Sequence, residues 1–243
     1  MILTLARKDL HTLFAAPSTW VMLALLQFIL GWFFLARLDD YLQVQTQLAQ
    51  MDNAPGATIS IAAPLSNLLA LLLLMLTPLF SMRLIAEERR NQTWPLLASA
   101  PLSSTSIVLG KFLGLVLLLW LAVLSSVAMM SLLLLGTRAD LGLILSNLLG
   151  LALLAAAFAA LGLYLSALSR QPVVAAFGAL ALSVALWLLD MSSGTLRALS
   201  PIAHFQNLNS GLISTADLVY FIAFSAGFLL LTIHHLRRER GGH

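Results

Sequence analysis

The residue types that could carry out chemistry are few in this sequence, and their spacing argues against catalysis or metal binding. A metal or haem site inside a helix bundle needs histidines that face one another at similar depth. The five histidines lie instead beside the ends of apolar stretches: His11, His204, His234, His235 and His243. The chain has no cysteine, which excludes disulfides, thiolate metal sites and a cysteine nucleophile.

The pair Gly110-Lys111 invites comparison with a phosphate-binding loop. That loop needs a further glycine five residues before Gly110 and a serine or threonine directly after the lysine. The sequence has Thr105 and Phe112 at those two positions. We therefore predict that this chain binds no nucleotide or other cofactor and is not itself an enzyme.

The composition is typical of a membrane protein. Hydrophobic residues make up 60% of the 243 positions and charged residues 9%, whereas soluble domains carry about 25% charged residues. A membrane-spanning helix needs about 20 mainly apolar residues, and six stretches qualify: 18–36, 65–85, 107–135, 141–168, 173–189 and 218–236. We predict an all-α, polytopic membrane protein in which 1–243 form a single transmembrane domain.

Lysine and arginine are distributed unequally between the two sides of these spans. One side holds ten: Arg7, Lys8, Arg83, Arg89, Arg90, Lys111, Arg170, Arg237, Arg238 and Arg240. The other side holds three: Arg37, Arg138 and Arg197. Because basic residues accumulate in cytoplasmic loops, we expect both termini in the cytoplasm. The charges lie at span ends rather than on one helix face, so a net charge of +3 does not indicate a nucleic-acid partner.

Charged residues are absent from the centres of the predicted spans. Ion-coupled carriers need a mid-membrane carboxylate or a broken helix, so this absence argues against a secondary transporter. The polar residues at span centres are Gln27, Ser125, Ser126, Ser146, Asn147 and Ser183. We expect hydrogen bonds between helices from this group, and the lining of a pathway is the alternative.

Small residues form stripes on the fourth predicted span. Ala152, Ala156 and Ala160 share one face, and Gly162 and Ser166 share another. Such stripes let helices approach closely in a bilayer, where apolar lipid gives no hydrophobic drive to associate. They favour packing within the chain, with a subunit interface as the alternative.

The segment 1–17 predicts an amphipathic helix in the inner membrane interface. Leu3, Leu10 and Phe14 recur at helical spacing, and Arg7 lies between them. This segment therefore lies outside the first span and ends at its proline.

Two short helices are predicted on the outer side. A polar one is expected over Tyr41–Met51. In the outer loop 190–217, Ser200 followed by a proline indicates a re-entrant or interfacial helix over Pro201–Leu208. The spacing of Ser214 and Asp217 resembles a capping box that opens the last span.

The cluster Glu87-Glu88-Arg89-Arg90 stands in the cytoplasmic loop 86–106. Pro95 suits the first turn of a new helix, and Pro101 ends it, so we predict a short helix parallel to the membrane. An aromatic and leucine-bearing helix beside charges suits docking into a groove of a partner. The alternative is that the two arginines only anchor the loop beside lipid headgroups.

Two segments resemble the permeases of ABC type-2 transporters, and most closely the branch associated with gliding motility. The first, MRLIAEERRNQTWPLLASAPLSSTSIVLGKFLG, is similar to its Met-Arg-x-x-Ala-Glu-Glu, Gly-Thr, Glu-Leu-Leu, Pro-Leu and Gly-Lys pattern. The second, LSPIAHFQNLNSGLISTADLVYFIAFSAGFLLLT, resembles its Ser-Pro-x-x-His-Phe, Gly and Asp-x-x-Tyr-Phe pattern. We call the charged cluster Glu87–Arg90 the elbow, and two departures bear on how the chain turns after it: Gln92-Thr93 replaces Gly-Thr, and Pro95 replaces the glutamate before the paired leucines.

The resemblance implies a permease subunit in the bacterial inner membrane that works with a cytoplasmic ATPase dimer holding the ATP and magnesium. Because the family consists mostly of exporters, the resemblance also implies export. It also implies a second permease copy, identical or different, and allows an accessory envelope protein. The implied ATPase-coupling residues are Glu87, Glu88, Arg89, Arg90, Trp94, Leu96, Leu97, Pro101 and Leu102. The implied outer-loop residues are Pro201, His204, Phe205, Gly211 and Asp217.

We expect Glu87 and Glu88 to pair with basic residues of the ATPase or at the foot of the first helix. Two other functions remain open on the sequence. The same architecture could transmit force to envelope proteins without moving a substrate, or it could be a membrane-embedded enzyme. The lack of mid-span acids and paired histidines argues against the enzyme.

Overall fold

The computed structural model describes residues 2–48, 56–94, 102–132, 140–192 and 194–241, and every regular element in those ranges is a helix. In chain order the α-helices are α1 (Ile2–Ala15), α2 (Pro17–Leu48), α3 (Ala57–Ser81), α4 (Ala86–Arg90), α5 (Ser104–Ser131), α6 (Leu141–Leu168), α7 (Pro172–Leu188), α8 (Pro201–Asn209) and α9 (Thr215–Gly241). Two 3-10 helices, Leu189–Met191 and Gly194–Leu199, join α7 to α8.

Six of the described helices are long and apolar enough to cross a membrane: α2, α3, α5, α6, α7 and α9. This confirms the predicted all-α polytopic membrane fold. Helix α1, helix α4 and the last turns of α9 lie at one end of the bundle, which we call the basal end. Helix α8 and the first turn of α9 lie at the opposite, distal end.

Helix α6 is the centre of the bundle, because it packs against α3, α5, α7, α8 and α9. Small side chains make this possible, and Ala155, Ala157 and Ala160 are fully buried. The predicted packing within the chain is thus found at Ala160, while Ala152 and Ala156 stay partly exposed. The core of the bundle therefore forms around one nearly enclosed helix.

The contact between α3 and α6 is closest at Gly162. A methyl group added there would overlap the side chain of Ser81. One turn further on, the hydroxyl of Ser166 accepts hydrogen bonds from the backbone N–H groups of Ile85 and Ala86, at 3.2 and 3.1 Å. Those two N–H groups lie at the start of α4. The predicted stripe of Gly162 and Ser166 therefore fixes the position where the charged elbow begins.

The chain turns just before its charged cluster, within the last residues of the predicted span 65–85. Helix α3 ends at Ser81, and a turn over residues 82–85 redirects the backbone into α4. The predicted span had no break before Ile85. Ser166 supplies the missing physical reason, because its hydroxyl satisfies N–H groups that would otherwise be left unpaired by the turn.

The outer parts of α2 and α3 also differ from expectation. No separate helix begins at Tyr41, because α2 continues without a break to Leu48. A hydrogen bond of 2.9 Å from Gln43 to Asp39, four residues apart, supports that polar extension. Pro64 lies inside α3 rather than before it, which a membrane helix tolerates when neighbouring groups satisfy the freed carbonyl.

Helix α8 begins at Pro201 as predicted and ends one residue later than predicted, at Asn209. Gly211 follows with φ of +85°, a left-handed conformation that glycine adopts without strain. The capping box at the start of α9 is only half formed. The Ser214 hydroxyl accepts from Ala216 N–H at 3.2 Å, whereas the Asp217 carboxylate turns toward α8. His204 and Asn207 of α8 contact that carboxylate, which explains its orientation.

Candidate functional site

Lys111 is the most important charged residue that the sequence analysis failed to recognise. Its side chain is 1% exposed, and its ammonium lies 2.8 Å from Glu88 Oε1 and 3.6 Å from Asp9 Oδ2. Three elements meet at this one cation, since Lys111 is on α5, Glu88 on α4 and Asp9 on α1. A buried charge is costly unless it is paired, and here two carboxylates surround it. We call these three residues the basal triad.

The triad forms because α1 lies directly on α5. A Cβ atom added to Gly110 would lie 2.8 Å from Leu5 Cδ2, and one added to Gly114 would lie 3.2 Å from the Ala6 carbonyl oxygen. Two glycines four residues apart thus let the backbones approach closely. The Gly110-Lys111 pair, which lacks the surroundings of a phosphate-binding loop, contacts the N-terminal helix: Gly110 lies against Leu5, and Lys111 pairs with Asp9.

The buried face of α1 differs from the predicted apolar one. Asp9 is on that face, between Ala6 and Leu13, and all three are buried. Leu3 is 77% exposed, so it is not part of that face. The remaining predicted residues of this helix, Leu10 and Phe14, pack partly against the core, and Arg7 is exposed as expected. In the sequence, the acidic residue Asp9 shares a helix face with the apolar residues Ala6 and Leu13, and this was a sign that it pairs with a buried basic residue.

Helix α4 divides its four charged residues between two sides. Glu88 points inward to Lys111 at the foot of the third span, whereas the expected partner was a basic residue of the ATPase or at the foot of the first helix. Arg89 also points inward and donates a 2.6 Å hydrogen bond to Glu239 of α9. Glu87 is half-buried and Arg90 exposed, and neither makes an ion pair with another described residue. Helix α4 is therefore held on one side and free on the other.

The predicted coupling helix lies mostly outside the described residues, which omit Leu96, Leu97 and Pro101. Trp94 is described and is half-buried, with the Arg89 guanidinium 5.5 Å from its ring centroid. Such a cation–π contact orders the chain just after the elbow. Leu102 is partly buried before the N-cap of α5. The prediction of a docking helix between them stays a prediction.

The turn after α4 explains one departure from the family pattern. Gln92 has φ of +57°, in the left-handed region where glycine is favoured. Backbone bonds hold this conformation, because Gln92 N–H donates to the Arg89 carbonyl and Thr93 N–H to the Glu88 carbonyl. The elbow therefore keeps a glycine-like turn although the sequence has glutamine there.

A cleft of about 300 Å³ opens at the basal end between α1 and α4. Asp9, Thr12, Glu87, Glu88 and Lys111 are among the residues that line it. Asp9 Oδ2 and Glu88 Oε2 are buried and accept no hydrogen bond from a described residue. The triad therefore forms the floor of an open cleft and has unused capacity to accept hydrogen bonds.

The outer-loop residues come together at the distal end, where they join α8 to α9. His204 Nδ1 lies 2.5 Å from Asp217 Oδ1, and its ring stacks on Tyr220 with centroids 3.9 Å apart. Asn207 donates to the same carboxylate at 3.2 Å. Phe205 is buried against Gly150, where an added Cβ would lie 3.2 Å from its ring. These contacts indicate a structural role for the cluster.

Among the span-centre polar residues, Ser146 makes the expected bond between helices. Ser146 Oγ donates to the Leu208 carbonyl at 2.6 Å. Ser125 and Ser126 instead donate to carbonyls of their own helix. Both polar atoms of Asn147 are buried without a partner among the described residues. Within those residues, no group of three or more His, Asp or Glu side chains is placed to hold a metal ion together.

The basal triad predicts a large effect of removing its cation. Lys111→Met leaves the buried carboxylate of Asp9 and the partly buried carboxylate of Glu88 uncompensated, and we expect it to destabilise the fold by about 3 kcal/mol. The expected result is a lower thermal midpoint in detergent. Adding Asp9→Asn and Glu88→Gln to that variant removes the uncompensated charges and is expected to restore much of the loss. A single Lys111→Met variant as stable as the unaltered chain would contradict the role given to the triad.

The positive φ of Gln92 predicts that a substitution by glycine does not lower the stability of the protein. Gln92→Gly relieves a conformation that costs an L-residue about 1 kcal/mol, so it is expected to be neutral or stabilising, whereas Gln92→Val is expected to destabilise. Thermal unfolding of the two variants measures this. Asn91→Gly is the matched control, since Asn91 has a negative φ of −82°. A clear loss of stability in Gln92→Gly would contradict the left-handed conformation of residue 92.

Comparison with known protein families shows the family to which the chain belongs. A family model described as ABC-2 family transporter protein matches residues 3–236. Among curated proteins, none matches the chain. The finer resemblance to the gliding-motility branch stays a prediction. The family match extends from α1 into the last turns of α9, so it includes both the basal triad and the distal cluster. The chain therefore belongs to the ABC-2 family of transporter proteins.

Proposed function

We propose that the chain is the permease subunit of an ABC exporter and is driven by a separate cytoplasmic ATPase that docks at the basal end. The observation that carries this proposal is the anchored elbow α4 in a six-span bundle of the ABC-2 family. Glu87 and Arg90 are left for a partner on its free side. The ATP and magnesium are held by that partner.

The anchoring of α4 supports a coupling role. The helix is bonded to α6 through Ser166, to α5 through Lys111 and to α9 through Glu239. A displacement applied to α4 by a docked ATPase therefore acts on three membrane-spanning helices at once. An elbow that only anchored a loop beside lipid headgroups would not need these three internal connections.

A second permease copy, identical or different, completes the proposed transporter. Helices α2 and α9 have large apolar side chains exposed along their length, including Phe28, Trp32, Ile222 and Leu230. Lipid or a second bundle covers such faces in a membrane. We expect the transport route at the seam between two copies, where these exposed apolar faces would meet.

The orientation in the membrane is testable because the chain has no cysteine. Thr12 is exposed at the basal end and Ser210 at the distal end. In intact cells with a permeable outer membrane, a membrane-impermeant maleimide is expected to label Ser210→Cys. It is expected to label Thr12→Cys only after the inner membrane is opened. Labelling with the reverse pattern would place the basal end outside and exclude docking of a cytoplasmic ATPase there.

The docking proposal predicts the effect of reversing an exposed charge on α4. The tagged chain is expected to retain a stoichiometric ATPase when purified from its native membrane in mild detergent, and mass spectrometry identifies that subunit. Arg90→Glu is expected to lower permease-stimulated ATP hydrolysis by about tenfold, the effect of losing one well-placed interface charge.

Arg37→Glu is the matched control, because it makes the same change at an exposed arginine of α2 away from the basal end. It is expected to leave the stimulated hydrolysis unchanged. Insertion of both variants is checked by their yield in the membrane fraction. Equal hydrolysis with Arg90→Glu and Arg37→Glu would rule out a contribution of this face of α4. An unaltered chain that retains no ATPase, even after crosslinking, would overturn the proposed function.

A further inference from the structure

The last turns of α9 reach across the basal end to α4 and α5. Helix α9 continues to Gly241. In these turns, Arg237 donates a 3.2 Å hydrogen bond to the hydroxyl of Thr105 on α5. Glu239 accepts the 2.6 Å hydrogen bond from Arg89 of α4. The C-terminal end of α9 is therefore bonded to two other elements of the basal end.

Arg89 is held inward by this bond to α9. Its side chain is 9% exposed, and arginine is rarely buried unless it is paired. Among the described residues, Glu239 is the only carboxylate that forms an ion pair with it. The guanidinium also lies 5.5 Å from the ring centroid of Trp94, the first residue after the turn that follows the elbow. The carboxylate of Glu239 therefore orders both Arg89 and the chain that follows it.

Glu239 provides the last of the contacts that hold α4. Ser166 bonds to the backbone at the start of the helix, and the basal triad holds Glu88. Because consecutive helical residues point about 100° apart, these contacts and the bond to Arg89 hold α4 from different directions. The bond to Arg89 lies directly beside Arg90, which is exposed. It therefore fixes the end of α4 and the direction in which Arg90 projects.

The contact with α9 differs from the other contacts of α4 in its exposure. Glu239 is 37% exposed, whereas Lys111, the cation of the triad, is 1% exposed. Helix α4 packs against α6 and α7, and it reaches α9 through two long side chains. Partly exposed ion pairs contribute little to stability. The bond between Arg89 and Glu239 is therefore suited to setting the position of the end of α4 rather than to stabilising the fold.

We propose that Glu239 is a positioning residue for the docking of the ATPase, because its bond to Arg89 sets the orientation in which α4 presents Arg90 to the partner. The inference rests on the proposed function, which places the ATPase at the basal end. It adds the C-terminal turn of α9 as an element that controls docking. A displacement of the last membrane-spanning helix then acts on the docking face directly, without passing through the basal triad.

A spin label tests the positioning in the permease alone. The chain has no cysteine, so Asn91→Cys at the exposed C-cap of α4 accepts a single nitroxide. Glu239→Arg brings like charges together and is expected to release the end of α4, which sharpens the lines of the electron paramagnetic resonance spectrum. The same label at Ser210→Cys, at the distal end, is the control and is expected to keep its spectrum. Unchanged lines at residue 91 would contradict the inference.

A charge exchange tests the effect on docking. Arg89→Glu and Glu239→Arg are each expected to lower permease-stimulated ATP hydrolysis by about threefold, and the two together to restore most of it. The matched control Asp40→Arg reverses one charge of the exposed pair with Arg37 on α2, and it is expected to leave the hydrolysis unchanged. Because the pair is partly exposed, the thermal midpoint of the permease is expected to fall by no more than about 4 °C in Glu239→Arg.

The outcomes separate this inference from the proposed function. If the unaltered chain stimulates its ATPase and Glu239→Arg stimulates it equally, the inference is wrong while the proposed function stands. The milder Glu239→Ala, which removes the carboxylate without adding repulsion, is expected to change the hydrolysis in the same direction, and it replaces Glu239→Arg if that variant does not fold. If the unaltered chain retains no ATPase, the proposed function fails and the docking role of Glu239 fails with it, whatever the spin label at residue 91 shows.

Discussion

The arrangement of the basal end depends on one ionic interaction, the pairing of the Lys111 ammonium with the carboxylates of Glu88 and Asp9. A lysine at 1% exposure is unfavourable without partners, so these carboxylates must stay in place for α5 to pack as it does. The constraint acts in both directions. It fixes the N-terminal helix and the elbow relative to the third membrane-spanning helix, and neither could be displaced alone without exposing or isolating a charge.

The triad is possible only because of the backbone approach at Gly110 and Gly114. A larger residue at either position would push α1 away and lengthen the distance from Asp9 to Lys111. The packing thus precedes the electrostatics, since apolar and backbone contacts set the geometry in which a buried charge is tolerated. The same order holds at Ser166, whose hydroxyl reaches the N–H groups of α4 because Gly162 lets α6 lie against the end of α3.

The sequence predicted the features that depend on local pattern. The six spans follow from runs of apolar residues, and α8 follows from a serine, a first-turn proline and a closing glycine. It did not predict the features that depend on distant partners. Lys111 reads as an ordinary basic residue at a span end, because its partners Asp9 and Glu88 lie 102 and 23 positions away. The turn before α4 was missed for the same reason, since Ser166 is 80 positions from Ala86.

Polar contacts also fix the helices at the distal end of the bundle. At the distal end, Asn67 of α3 accepts hydrogen bonds from Gln206 and Asn209 of α8, each at 3.1 Å, which ties α8 to the bundle. Between the two ends, α6 runs for 28 residues, or about 42 Å, with buried side chains along most of its length. A tightly packed interior transmits displacement instead of absorbing it. The helices that α4 is bonded to are α5, α6 and α9, and of these α6 and α9 also contact α8 at the distal end, so the two ends of the bundle share these two helices.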